Sequence, residues 1–360
     1  MGQLILRGAG VVAVLLAALV FAGLAYRAVQ QHQRAKAAQI DTQSGIDEGR
    51  FIKLSGLELW VTIRGQNRSN PILLVVDGGP GYATSQDIPS ILERDFTVVS
   101  WDQPGAGKTF GRAGGVIGPN VTMESIADDG IGVADYARQH LHRTKVAILG
   151  TSFGSIIGVE MIRRRPDLFY AYVGSGQVVN MRRAEALDYE GVLTEARARG
   201  DQPAIRELEK GGPPPYRSPS AFRTQRKWAL AYEAGAPSGL AMATSVVFAP
   251  RYGLTDAFNW FWGFLASQDH FFGKAMEGPA MAADLPALGA DFAVPIFVFQ
   301  GTDDRITPFE LVKAYVDSIQ APQKLLVAVP GAGHFVAVSH ASELRDLMIE
   351  RVRPLGVQAG

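Results

Sequence analysis

Ser152, the pair Asp303-Asp304 and His334 are the residues whose types and settings could together do nucleophilic chemistry. A serine hydroxyl is a weak nucleophile until a base takes its proton, and an imidazole base needs a carboxylate to fix its tautomer and steady its positive charge. Ser152 is the centre of Gly150-Thr-Ser152-Phe-Gly154, which follows the apolar run Val146-Ala-Ile-Leu149 and leads into a helix-like segment. Strand, tight turn and helix would leave the serine exposed at the apex. The flanking glycines let strand and helix approach closely, and the helix N-terminus helps hold a developing negative charge. An ordinary strand-to-helix turn is the competing reading. His334 lies in Pro330-Gly-Ala-Gly-His334-Phe335, just past a strand-like run, and this setting separates it from His270 and His340, which are read as structural.

The elements that must position these groups follow from periodicity. Phe51–Leu54 and Leu57–Ile63 alternate around Gly56, as an edge hairpin does. Pro71-Ile-Leu-Leu-Val-Val76 and Phe96-Thr-Val-Val-Ser-Trp101 are apolar enough for strands buried on both faces. A helix is expected between Asn120 and His142, from Ile126, Val133, Ala137 and Leu141, with Asn120 or Thr122 as its cap. Further strands are expected over 171–175, 294–299 and 324–329. The alternation predicts an α/β fold, a doubly wound and mostly parallel sheet, with ligands at the carboxyl ends of the strands. The Gly-rich loop Asp77-Gly78-Gly79-Pro80-Gly81 stands at such an end, where bare backbone N–H groups can meet a substrate, the N–H of Phe153 being the natural second donor. A tight turn is its bland alternative. Residues 177–288 change character, with Gly211-Gly-Pro-Pro-Pro215, helix-like stretches and the aromatics Phe258, Trp260, Phe261, Trp262, Phe264, Phe271 and Phe272. They read as a mainly helical cap over the sheet. The core is then 51–176 and 289–360, and the aromatics serve as cap core, substrate wall or both.

Several function classes are excluded or demoted. Lys+Arg and Asp+Glu balance at 35 each, so no basic field attracts nucleic acid. With no cysteine, disulfides and thiolate chemistry are excluded. Asp102-Gln-Pro-Gly-Ala-Gly-Lys108-Thr109 approximates a phosphate-binding loop, but Asp102 replaces the leading Gly, and the following Phe-Gly-Arg-Ala-Gly-Gly is not expected to open a helix. Lys108 is therefore read as a solvated loop residue. No metal or organic cofactor is implied. Epoxide and haloalkane hydrolysis need Asp, not Ser152, at the turn.

The amino terminus reads as one membrane crossing. Gly8 to Tyr26 is an uncharged run of about 19 residues, long enough for a bilayer. Residues 1–29 are expected to form an uncleaved anchor, with a secretory signal as the alternative, and 30–50 a polar tether. The body is weakly expected on the extracytoplasmic side; Arg27, Arg34 and Lys36 argue for the other.

Gly78-Gly-Pro-Gly81, Trp101-Asp-Gln-x-Gly105-x-Gly107, Gly150-x-Ser152-x-Gly154, Gly301-x-x-Asp304-x-x-x-Pro308 and Gly331-x-Gly333-His334 together resemble the α/β-hydrolase family, in particular its proline iminopeptidase-like branch. The likeness covers nearly everything from Phe51 onwards. It implies Ser152 as nucleophile, Asp304 rather than Asp303 as acid, His334 as base, and oxyanion N–H groups from Gly79 and Phe153. Two positions depart from the branch, which has His where Asp77 stands and Arg where Pro104 stands. Aminopeptidases of this kind grip the substrate's amine with cap carboxylates, and Tyr232-Glu233 is similar to such a site; a solvated helix Glu is the alternative. The implied activity is release of an amino-terminal residue from a small peptide or amide. A carboxylesterase or lipase-like activity on small apolar esters is the second reading, and a non-catalytic binding protein on the same fold the third.

Overall fold

The structure, a computed structural model, describes residues 2–83, 87–216 and 218–359. Eight strands form one sheet in the order β1-β2-β4-β3-β5-β6-β7-β8. They are β1 (Ile46–Leu54), β2 (Leu57–Gly65), β3 (Ile72–Val76), β4 (Thr97–Trp101), β5 (Val146–Thr151), β6 (Phe169–Ser175), β7 (Ile296–Gly301) and β8 (Lys324–Val329). β1 and β2 pair antiparallel around Ser55-Gly56, β2 pairs antiparallel with β4, and every later pairing is parallel. The expected edge hairpin and doubly wound core are both present.

Alternation within the strands divides the core into two layers. Leu74, Val76, Val99 and Ile148 point to one face, Leu73, Val75, Ala147 and Leu149 to the other, and all are buried. Each buried Val, Leu or Ile side chain contributes about 1.5–3 kcal/mol by leaving water, so both faces must be covered by helices. In chain order the helices are α1 (Gly2–Ala37), α2 (Asp87–Leu92), α3 (Gly107–Arg112), α4 (Met123–His140), α5 (Phe153–Arg164), α6 (Met181–Ala198), α7 (Gln202–Gly211), α8 (Pro219–Tyr232), α9 (Gly239–Val247), α10 (Leu254–Phe272), α11 (Phe309–Ser318), α12 (Val336–Ser339), α13 (Ala341–Leu347) and α14 (Arg353–Ala359). Residues of α4, α5 and α11 pack on the first face, and residues of α12 and α13 on the second. Thr122 caps α4 by accepting from the Ser125 N–H, one of the two caps the sequence offered.

Between β6 and β7 the chain is helical, as α6 to α10 and two short 3-10 turns. Two expectations need correction. The segment read as a tether is ordered at both ends, because α1 continues to Ala37 and β1 begins at Ile46. Arg27, Gln31 and Arg34 hold the end of α1 against carbonyls of residues 245–252. Lys108 is not a solvated loop residue. It lies on α3 with its ammonium 4.0 Å from the centre of the Trp60 ring and 3.6 Å from the Asp256 carboxylate. The helix that the glycine-rich sequence did not predict is held by packing against α10, where Gly111 meets Asn259 and Phe110 meets Gly263.

Candidate active site

The turn from β5 into α5 sets Ser152 at φ 51° and ψ −123°, in the left-handed region that a side chain rarely adopts. Its surroundings enforce this. A Cβ at Gly154 would lie 2.0 Å from the Val76 carbonyl oxygen, and one at Gly150 would lie 2.8 Å from that of Gly154. Only glycine lets β3, β5 and α5 converge so tightly. The Ser152 N–H is held by the Ser175 carbonyl at 2.9 Å, which leaves Oγ to face the loops.

His334 Nε2 lies 2.9 Å from Ser152 Oγ. On the far side of the ring, Nδ1 lies 3.0 Å from Asp304 Oδ2 and 3.2 Å from Oδ1. Asp303, its rival on the same loop, instead accepts from the Thr302 hydroxyl. The Asp304 carboxylate is buried and also accepts from the N–H groups of Ile306 and Thr307, the Thr307 hydroxyl and the Gln300 amide. Burial pushes its pKa up, but the His334 charge and these donors outweigh that and hold it below the usual value. Burial likewise opposes charge on His334, yet the Asp304 carboxylate lifts its pKa above the ordinary imidazole value. Gln300 and Thr307 were not singled out from the sequence. Their position next to the conspicuous Asp-Asp pair was the only available signal.

Glu233 is neither a solvated helix residue nor a free carboxylate. It follows α8, is buried, and its two oxygens accept from the backbone N–H groups of Arg305 at 2.6 Å and His334 at 2.8 Å. It thereby joins the loop carrying Asp304 to the loop carrying His334. Gly333 leaves room for it, since a Cβ there would lie 2.5 Å from Glu233 Oε2. Burial, followed by the nearby Asp304 charge, raises the Glu233 pKa.

A cavity of about 590 Å³ opens above Ser152, with Gly78, Gly79, Phe153 and His334 among its lining residues. Gly78 packs against Ser152, where a Cβ would come within 2.9 Å of the serine Cβ. The Trp-Asp-Gln turn supports this loop, because Gln103 Nε2 donates to the Asp77 carbonyl at 2.8 Å. Asp102 accepts from the Lys108 N–H and the Tyr252 hydroxyl, and burial pushes its pKa up to about 7. The upper walls are apolar, with Phe222, Leu230, Met242, Phe264, Leu265 and Phe272 from α8, α9 and α10. Arg226 reaches the cavity, but its guanidinium is engaged by the buried carboxylates of Glu185 and Asp188. The aromatic cluster has three fates. Trp260 and Phe271 are buried, Phe264 and Phe272 wall the cavity, and Phe258, Phe261 and Trp262 face outward.

Residues 71–341 match the family described as alpha/beta hydrolase fold. The chain belongs to the α/β-hydrolase family. This hydrolase is 24% identical over 309 residues to the Bacillus subtilis (strain 168) protein named Probable aminopeptidase YbaC, with 84% of this chain and 95% of that one covered. Among solved structures, the proline iminopeptidase of Mycobacterium smegmatis superposes with a TM-score of 0.61 at 17% identity, covering 87% of this hydrolase and all of that chain. The esterase RhEst1 from Rhodococcus sp. ECU1013 gives 0.55 at 16%, covering 88% and 100%. A bacterial membrane phospholipase A gives 0.61 at 15%, covering 97% and 99%. The chain is an α/β-hydrolase enzyme whose neighbours include aminopeptidases and esterases.

Proposed function

We propose that this enzyme is a serine hydrolase that works through an acyl-enzyme on esters with an apolar acyl group. Ser152 Oγ attacks the carbonyl carbon as His334 Nε2 takes its proton. The backbone N–H groups of Gly79 and Phe153 receive the oxyanion, and Asp304 steadies the imidazolium. His334 then returns the proton to the leaving oxygen. Water, deprotonated by the same nitrogen, releases the acid and restores the serine. The observation that carries the reading is the Oγ–Nε2–Nδ1–Asp304 alignment at the floor of a cavity with apolar walls.

Release of an amino-terminal residue from a peptide is the second reading, favoured by the aminopeptidase named among the relatives. An amine needs a carboxylate with a free oxygen beside the serine. Glu233, the residue that resemblance offered, already accepts a loop N–H on each oxygen and ties two loops together, so the ester reading, which the apolar cavity walls favour, stands first. Residues 177–288 are taken as the cap, and α1 as a membrane anchor. Its apolar stretch from Val11 is long enough for a span and entirely unburied by the rest of the chain.

The test compares turnover of p-nitrophenyl acetate and octanoate with that of alanyl and prolyl p-nitroanilides and their amine-blocked twins, using the full chain in detergent. The ester reading expects octanoate to be preferred and both anilides to be ignored. Cleavage of free-amine anilides alone would replace it with the aminopeptidase reading.

A further inference from the structure

The end of α1 is not merely tethered to the cap. Arg27 donates to the carbonyls of Val247 and Tyr252 at 3.0 and 2.6 Å, Gln31 to those of Ala249 and Tyr252, and Arg34 to that of Ser245. The two arginines thereby satisfy carbonyls at the C-terminal end of α9, where positive charge is favoured. The Tyr26 ring packs edge-on against Phe248 at 5.7 Å. Arg27 is the first charge after the apolar run. The cap turn 245–252 is therefore fixed where the uncharged run of α1 ends.

The surface beside this junction lacks the polarity a water-facing cap requires. No charged residue stands between Glu233 and Arg251, or between Asp256 and Asp269. Leu254, Phe258, Phe261 and Trp262 recur at helical spacing along one face of α10, and all four are between 47% and 61% exposed. Leu240 on α9 is exposed by 75%. Single exposed apolar residues are ordinary, but a continuous stripe marks an interaction surface. Leu265, which follows on the same stripe, lines the cavity, as do Ala241, Met242 and Ser245 of α9.

We infer that this face of the cap, Leu240 with Leu254, Phe258, Phe261 and Trp262, rests in the surface of the lipid bilayer that α1 crosses. Aromatic and large apolar side chains lying in the interface are the usual anchors of a surface-seated helix. The helices that carry the seat also wall the cavity, so apolar substrates reach Ser152 from the lipid side. The inference rests on α1 being an anchor, and the experiment separates the two.

The absence of cysteine makes labelling unambiguous. The full chain is reconstituted in phosphatidylcholine vesicles carrying a nitroxide at a shallow or a deep acyl position. A bimane probe is placed in turn at Leu16→Cys in the apolar stretch, Phe261→Cys on the seat, and Val357→Cys on the exposed C-terminal helix. The last reports the opposite end of the sheet, where Gly356 packs against Pro71 and Tyr170. Deep quenching is expected at 16, shallow quenching at 261 and none at 357. Quenching at 16 with 261 as unquenched as 357 overturns the seat while the anchor stands. Absence of quenching at both 16 and 261 overturns the anchor and the seat together. A second variant, Phe261→Asp/Trp262→Asp, should keep its turnover of p-nitrophenyl acetate in detergent. It should lose about fivefold or more on a long-chain ester dissolved in vesicles. Equal retention of both activities contradicts the lipid-side route.

Discussion

The loops at the carboxyl edge of the sheet and the helices of the cap hold their side chains in different ways. Asp304 stands just past β7 and has five donors converging on its carboxylate, so its position is over-determined by groups within four residues of it and by His334. Glu233 stands at the end of a cap helix, and what fixes it is the N–H of two loops that lie 72 and 101 residues away. Two buried carboxylates thus flank one histidine, one through the ring and one through the backbone. Short-range hydrogen bonding seats the first against the imidazole ring. Long-range docking makes the second a strut between loops.

Mutations at these two carboxylates should separate accordingly. The largest loss is expected for Asp304→Asn, about 10⁴-fold in kcat, because the wrong imidazole tautomer would face Ser152. Its neighbour Asp303→Asn should leave kcat within about twofold, since its carboxylate accepts from the Thr302 hydroxyl and is not hydrogen-bonded to His334. A comparable fall for both would erase the assignment of Asp304. Glu233→Ala should cost about ten- to a hundredfold in kcat with little change in KM, through misplacement of the two loops. A loss confined to KM for free-amine substrates would make it a binding residue after all.

The pH profile sharpens the same contrast. In the proposed mechanism activity requires neutral His334, so it should fall as pH drops through the raised His334 pKa, with the acid limb above 6.5, the ordinary imidazole value. The Glu233 charge contributes to that elevation after Asp304. Glu233→Gln should therefore move the acid limb to lower pH, and an unmoved limb contradicts the electrostatic contact. The smallest effect is expected at Lys108→Ala. Loss of its contact with the Trp60 face should cost roughly 1 kcal/mol of stability, read as a few degrees in Tm, with kcat unchanged.

The same division governs what the sequence makes legible. Strand ends are written locally: an apolar run followed by Gly, Asp or His declares both the element and the place where a side chain emerges. Ser152, His334 and the Asp pair are therefore legible as candidates, and the preference for Asp304 within the pair comes from the family resemblance. Cap residues carry no such local code. Phe258, Trp260 and Phe264 fall within two turns of one helix, yet one faces outward, one is buried and one lines the cavity. Their fates depend on which neighbouring helix covers which side. The setting of Glu233 is hidden for the same reason, because its partners are set by tertiary docking. Lys108 was misread because the short helix α3 is stabilised by α10 rather than by its own glycine-rich sequence.

The central claim is an acyl group carried by Ser152. The full chain, mixed with p-nitrophenyl octanoate and quenched in acid during turnover, should show one octanoyl mass increment on intact-protein spectra. Peptide fragmentation should place it on Ser152, and Ser152→Ala should show neither increment nor turnover. An increment on another residue, or undiminished turnover by Ser152→Ala, would contradict the account.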